Sequence, residues 1–151
     1  MSRIVAAVAL LALASCQGLE DTNKAEEQVA AFHAAFDSGQ YGRLWDGSAP
    51  TMQQITPRPQ FETMLTDMRQ RLGNVKSSKQ TGWSVNYDGG ASQVTLTYET
   101  TFANGEGTET FIYDTQDPPR LMGWHVESPV LLQPVRSAPG VAEIGKDPAA
   151  N

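Results

Sequence analysis

Residues 94–102 read Val-Thr-Leu-Thr-Tyr-Glu-Thr-Thr-Phe, and this stretch decides the fold class. Val94, Leu96, Tyr98, Thr100 and Phe102 alternate with Thr95, Thr97, Glu99 and Thr101. A two-residue period of this kind marks a strand with one buried face. Upstream, Trp83, Val85 and Tyr87 alternate with Gly82, Ser84 and Asn86, and Asp88-Gly89-Gly90 is a hairpin signal. Downstream, Asn104-Gly105 marks a second turn, residues 108–113 return, Asp117-Pro118-Pro119 turns again, and residues 121–127 form a last strand.

The period changes before residue 80. Ala25, Val29, Phe32 and Phe36 recur at three- and four-residue steps, predicting an amphipathic helix over 25–37 that Gly39 terminates. A short helical segment is expected over 41–45. Pro50, Pro57 and Pro59 then break the chain, so that residues 46–58 read as loops or one short edge strand. Phe61, Met64, Leu65, Met68 and Leu72 form the apolar stripe of a further helix over 60–72, ended by Gly73-Asn74. Helices first and an antiparallel meander afterwards define an α+β domain over 25–128. Residues 129–151 hold Pro129, Pro134, Pro139 and Pro148 among small residues and read as a tail, disordered beyond Val135. The chain holds no internal repeat.

At the other end, Arg3 precedes an apolar run from Ile4 to Ala14, and small residues lead into Cys16, the single cysteine. This is the layout of a secretory signal peptide over residues 1–15. The run is too short for a membrane span, which needs about 20 residues. Residues 17–24 read as a polar tether. Removal of fifteen of the 151 residues leaves 136, enough for one domain with a sizeable core, and loss of Arg3 takes the formal charge from −6 to −7. An acidic chain with scattered Lys and Arg has no basic patch for nucleic acid.

Leu13-Ala14-Ser15-Cys16 resembles the lipobox of bacterial lipoproteins. The resemblance implies a diacylglyceryl thioether and an N-acyl chain such as palmitate on Cys16, so that the partner of this residue is a lipid bilayer. Several acyl chains hold a protein firmly where one holds only marginally. Gln17, rather than Asp, follows the cysteine, which by the sorting rule for such lipoproteins implies the outer membrane, facing the periplasm. With Cys16 acylated, no thiol remains for a disulfide, a metal or a nucleophile.

Three further pieces resemble a bacterial envelope family of unknown function within the nuclear-transport-factor-2-like (cystatin-like) superfamily. They are Asp37-Ser-Gly39-Gln-Tyr41 with Trp45; Phe61-x-x-x-Leu65-x-x-x-Arg69-x-x-Leu72-Gly73-x-Val75 followed by Ser77; and Thr101 with Glu109-Thr110 and Trp124-x-Val126. The resemblance covers residues 25–128, departs near 80–92, and implies helices packed on a curved antiparallel sheet that closes a cone.

No motif names a reaction. His33 and His125, the only histidines, are candidates to meet in the cone with Asp37, Tyr41 or Glu99 in proton transfer, against the preferred and plainer reading of ordinary histidines. Trp45, Trp83, Tyr98 and Trp124 are candidates to line a pocket, against the plainer reading of core aromatics. Arg69 is expected to form a structural salt bridge, with Glu99 or Glu109 as partners, or a helix-end contact, rather than to hold an anion. No metal-ligand pattern, phosphate loop or Gly-x-Ser-x-Gly elbow is present, and no cofactor is expected. The preferred reading is a non-enzymatic interaction or small-ligand module, its partner an envelope protein or a small apolar ligand, with a dimer allowed by the sheet. The alternative is a small enzyme resembling ketosteroid isomerases or polyketide cyclases.

Overall fold

A computed structural model describes residues 5–88 and 91–134. Four helices, α1 (Val5–Asp37), α2 (Tyr41–Asp46), α3 (Pro50–Ile55) and α4 (Arg58–Leu72), precede four strands, β1 (Val75–Asp88), β2 (Ala91–Phe102), β3 (Gly105–Asp114) and β4 (Leu121–Glu127). The strands form one antiparallel sheet in the order β1-β2-β3-β4. The expected α+β plan, helices packed on an open curved antiparallel sheet, is the architecture observed.

Helix α1 reaches further back than its apolar period. The segment read as a polar tether, residues 17–24, is helical. Its Glu, Lys, Leu and Gln residues are good helix formers, and Thr22, buried, returns its hydroxyl to Gly18 O at 2.7 Å. From there the buried face runs through Ala25, Val29, Phe32, His33 and Phe36. Gly39, at φ +72°, stops the helix; the Gln40 amide bonds Ala35 O at 2.9 Å and the Gly39 amide bonds Phe36 O at 3.3 Å. These bonds close a Schellman-type cap.

Residues 46–58 contain helix α3 where loop or strand was expected. Pro50 stands in its first turn, where a missing N–H costs nothing, so this proline starts a helix instead of breaking one. The Ala49 amide bonds Leu121 O at 2.8 Å, and Ser48 bridges Leu121 in parallel, tying this segment to β4. Helix α4 begins at Arg58, with Pro59 likewise in its first turn. It ends at Gly73, whose φ of +80° and 2.7 Å clearance from Ala103 Cβ leave no room for a side chain.

Strand β1 begins at Val75, ahead of the alternation that signals it. Its first half, Lys76 to Thr81, is polar on both faces because β1 is an edge strand, and no apolar period betrays it. Register shifts between Val75 and Ser77 and between Gln80 and Gly82 bend it. The tail also starts later than expected. Pro129–Leu132 form a 3-10 turn; Val130 and Leu131 pack on the core, and Ser128 Oγ donates to Glu106 O at 2.6 Å. Residues 135–151, expected to be disordered, lie outside the described residues.

Phe36, Phe61, Leu65, Leu72, Val94, Leu96 and Phe111 fill the space between helices and sheet, all fully buried. Leu65→Ala is expected to destabilise the fold by about 2–5 kcal/mol through lost burial and a residual cavity. Ile55→Ala, on a side chain 80 % exposed, should change it by no more than about 0.5 kcal/mol. Urea unfolding of both variants checks the contrast.

Candidate functional site

The inward positions of β3 are Glu109, Phe111 and Tyr113, all buried, with partly exposed positions between them. An acid therefore occupies a position that strand alternation reserves for a core residue. Glu109 is 0 % exposed. Its carboxylate accepts three hydrogen bonds, one from each neighbouring strand and one from the helix above. Trp124 Nε1, on β4, donates to Oε1 at 3.0 Å. Thr100 Oγ1, on β2, donates to Oε2 at 2.5 Å. His33 Nε2, on α1, lies 2.8 Å from the same oxygen.

Rings surround this group. The His33 imidazole meets Phe111 edge-on at 5.6 Å, and Trp124 lies 5.1 Å from Phe32 and 5.7 Å from Phe36. An ionised carboxylate in such a setting loses several kcal/mol of hydration, which charge-assisted bonds to all its donors offset. Two phenols nearby respond to the same surroundings. Tyr98, opposite Glu109 in the ladder, has its pKa pushed up to about 12 by burial and then by the charges of Glu26 and Glu109. Tyr113 is raised by burial first, then by Tyr98 and Glu109.

The two histidines do not meet, in line with the plainer reading. His125 points from the opposite face of β4 to solvent, where it stands 3.4 Å from Glu127. Two-residue alternation puts it opposite Trp124 and Val126, so it cannot share the inner face with His33. Glu99 is likewise outward and exposed, for the same reason. Asp37 and Tyr41 belong to a separate group at the C-terminal end of α1. Asp37 Oδ1 accepts from the Val75 amide at 3.0 Å and faces Arg69 Nε at 3.7 Å; Arg69 also donates to Asn74. Arg69 thus forms a structural ion pair, with Asp37 in place of Glu99 or Glu109. The Tyr41 phenol is raised by burial, with Arg69 opposing and Asp37 reinforcing.

The four candidate pocket aromatics do not converge either. Trp45 donates Nε1 to Thr56 O at 3.0 Å under the Arg58 guanidinium. Trp83 is 53 % exposed on β1, Tyr98 is core, and Trp124 binds Glu109. Among the described residues lie surface grooves of about 400, 410 and 470 Å³; Thr100 lines the third, and none of the three is lined by His33, Glu109, Trp45, Trp83, Tyr98 or Trp124. Among the described residues no group of three or more His, Cys, Asp or Glu could hold a metal ion. Glu109 had one signal in the sequence: it stands two and four residues before Phe111 and Tyr113, in phase with them.

The chain belongs to a family described as a protein of unknown function (DUF4019), whose model matches residues 28–123. That span runs from the middle of α1 into β4 and takes in His33, Thr100 and Glu109. No curated protein matches the chain.

Two measurements check this account of the interior. Glu109→Ala orphans three donors and should cost about 3–5 kcal/mol in urea unfolding. Combined with His33→Leu, it should cost less than the sum of the two; additive losses would remove the coupling between His33 and Glu109. The second concerns pH. A phenol raised from 10.0 to about 12 is neutral in the fold, so its contribution is complete below pH 10 and is lost as pH climbs to 12. Tyr98→Phe should flatten that alkaline loss of stability.

Proposed function

We propose that this member of the family is a lipid-anchored envelope protein whose head, built on a nuclear-transport-factor-2-like plan, is a non-enzymatic interaction or small-ligand module. The anchor is Cys16, acylated after removal of residues 1–15, and Gln17 assigns it to the outer membrane with the head facing the periplasm. The signal layout supports export. Among the described residues no helix is long and apolar enough to cross a membrane, so the acyl chains would provide the attachment.

The observation that carries the non-enzymatic reading is the sealing of Glu109. An enzyme resembling ketosteroid isomerases or polyketide cyclases needs a base and a hydrogen-bond donor facing one cavity. Here a carboxylate, an imidazole and a hydroxyl do converge, but the carboxylate is 0 % exposed and each of its oxygens is already bonded. The nearest grooves stop one residue away, at Thr100 and at Phe32, and neither is lined by Glu109 itself. The group holds the fold together, and the work of the protein falls to its surface.

Cells expressing the chain and fed an alkynyl fatty acid should yield a labelled band that floats with outer membranes, and Cys16→Ser should lose both the label and the flotation. Crosslinking in intact cells should then recover an envelope partner, or a small ligand should survive purification. An unlabelled wild-type band would remove the anchor. A labelled protein that captures neither partner nor ligand, yet turns over a ketosteroid, would remove the module.

A further inference from the structure

Leu19, Trp83 and Tyr87 are 56 %, 53 % and 55 % exposed; Trp83 and Tyr87 stand on the edge strand β1, and Leu19 belongs to the turn of α1 that meets Tyr87. Trp83 and Tyr87 stand on an unshifted stretch of the β1–β2 register, so they point to one face together with Val85, which packs against the core. Opposite them on β2, Leu96 and Val94 are fully buried. The inner face of the sheet therefore continues outward onto the edge strand as bare aromatic surface. Large exposed apolar surface of this kind marks a contact site.

Helix α1 meets this edge where the chain begins to be anchored. The Tyr87 hydroxyl donates to Asp21 Oδ2 at 3.1 Å, and a Cβ on Gly18 would stand 3.6 Å from that same hydroxyl. Leu19 lies between these two contacts in sequence. Cys16 precedes Gly18 by two residues of helix, about 3 Å of rise. Residues 17–24 offer no slack: they are helical, Thr22 is buried, and Lys24 Nζ binds Asp117 Oδ2 at 3.1 Å and Glu20 Oε1 at 3.0 Å.

We propose that Leu19, Trp83 and Tyr87 form a membrane-seating surface, which enters the bilayer interface beside the acylated Cys16 and holds the head in one orientation. The inference rests on the acylation proposed above. Trp and Tyr favour the headgroup level, where the ring body is apolar and its polar edge stays wet. Tyr87 and Trp83 are about 13 Å apart along the strand, and Leu19 follows Gly18, which approaches the Tyr87 hydroxyl. Acyl chains already hold the protein at the surface, so each added apolar contact forms at high effective concentration. The acids nearby choose the lipid. Asp21 binds Tyr87, and Glu20 and Asp117 bind Lys24 one turn further along α1, an acidic surround that fits a zwitterionic phospholipid surface better than an anionic one.

The test uses the full chain, processed in a bacterium and reconstituted in phosphatidylcholine vesicles with dibrominated acyl chains, which quench tryptophan at the interface. Acyl label, flotation and quenching are read on one sample. With three tryptophans in the chain, about a third of the emission should be lost, and Trp83→Phe should abolish that loss. Leu19→Ser with Tyr87→Ser should weaken it while the protein still floats. A labelled, floating protein whose quenching is unchanged by Trp83→Phe would overturn the seating surface and leave the anchor standing. A protein with neither label nor flotation would overturn both.

Discussion

The carboxylate of Glu109 is the constraint on which the arrangement of this domain depends. An acid on the inner face of a sheet must be paired or pay a heavy desolvation cost, and here its donors come from three other elements. Thr100 binds it from β2, Trp124 from β4 and His33 from α1. Each bond has a narrow range of distance and angle, so the helix cannot slide or rotate over the sheet without stranding a polar group. Apolar contacts alone tolerate many packings of similar energy; a single polar cluster among Phe32, Phe36 and Phe111 rules out most of them.

The same chemistry explains why a group that resembles catalytic machinery is silent in this reading. Acid, imidazole and hydroxyl are the parts from which a proton-transfer site is built. Their geometry here saturates the acid instead of presenting it. Trp124 serves both purposes, since its indole edge donates to Oε1 while its ring closes the aromatic layer against Phe32 and Phe36. An open site would need the layer parted and one of those bonds surrendered. The surface carries grooves along α1 and α4 and exposed aromatic side chains on the edge strand β1.

The edge also joins the fold to the proposed anchor. Because residues 17–24 are helical and Tyr87 of β1 bonds Asp21, the proposed acylation site would be joined to the sheet by a docked helix rather than by a swinging linker. A docked helix transmits geometry where a coil of the same length would lose it.

Much of this architecture was legible in the chain before any coordinates. The alternation of residues 94–102, the turns at 88–90, 104–105 and 117–119, and the stripes of α1 and α4 are local properties, and each depends only on which side chains recur at which spacing. The elements that were missed share a physical reason. The first half of β1 and the back-extension of α1 are polar on their visible faces, so neither carries an apolar period; α3 was hidden because a proline breaks a helix from within but opens one from its first turn. The histidines make the same point at the site. Alternation already put His125 on the face away from Trp124, and only packing showed that His33 meets Glu109, 76 residues away in sequence. Sequence by itself determined the class of fold and the succession of helices by antiparallel strands. Tertiary structure alone decided which polar groups meet inside and that Glu109 is buried among them, because burial and hydrogen-bond partners depend on distances between segments that no local pattern records.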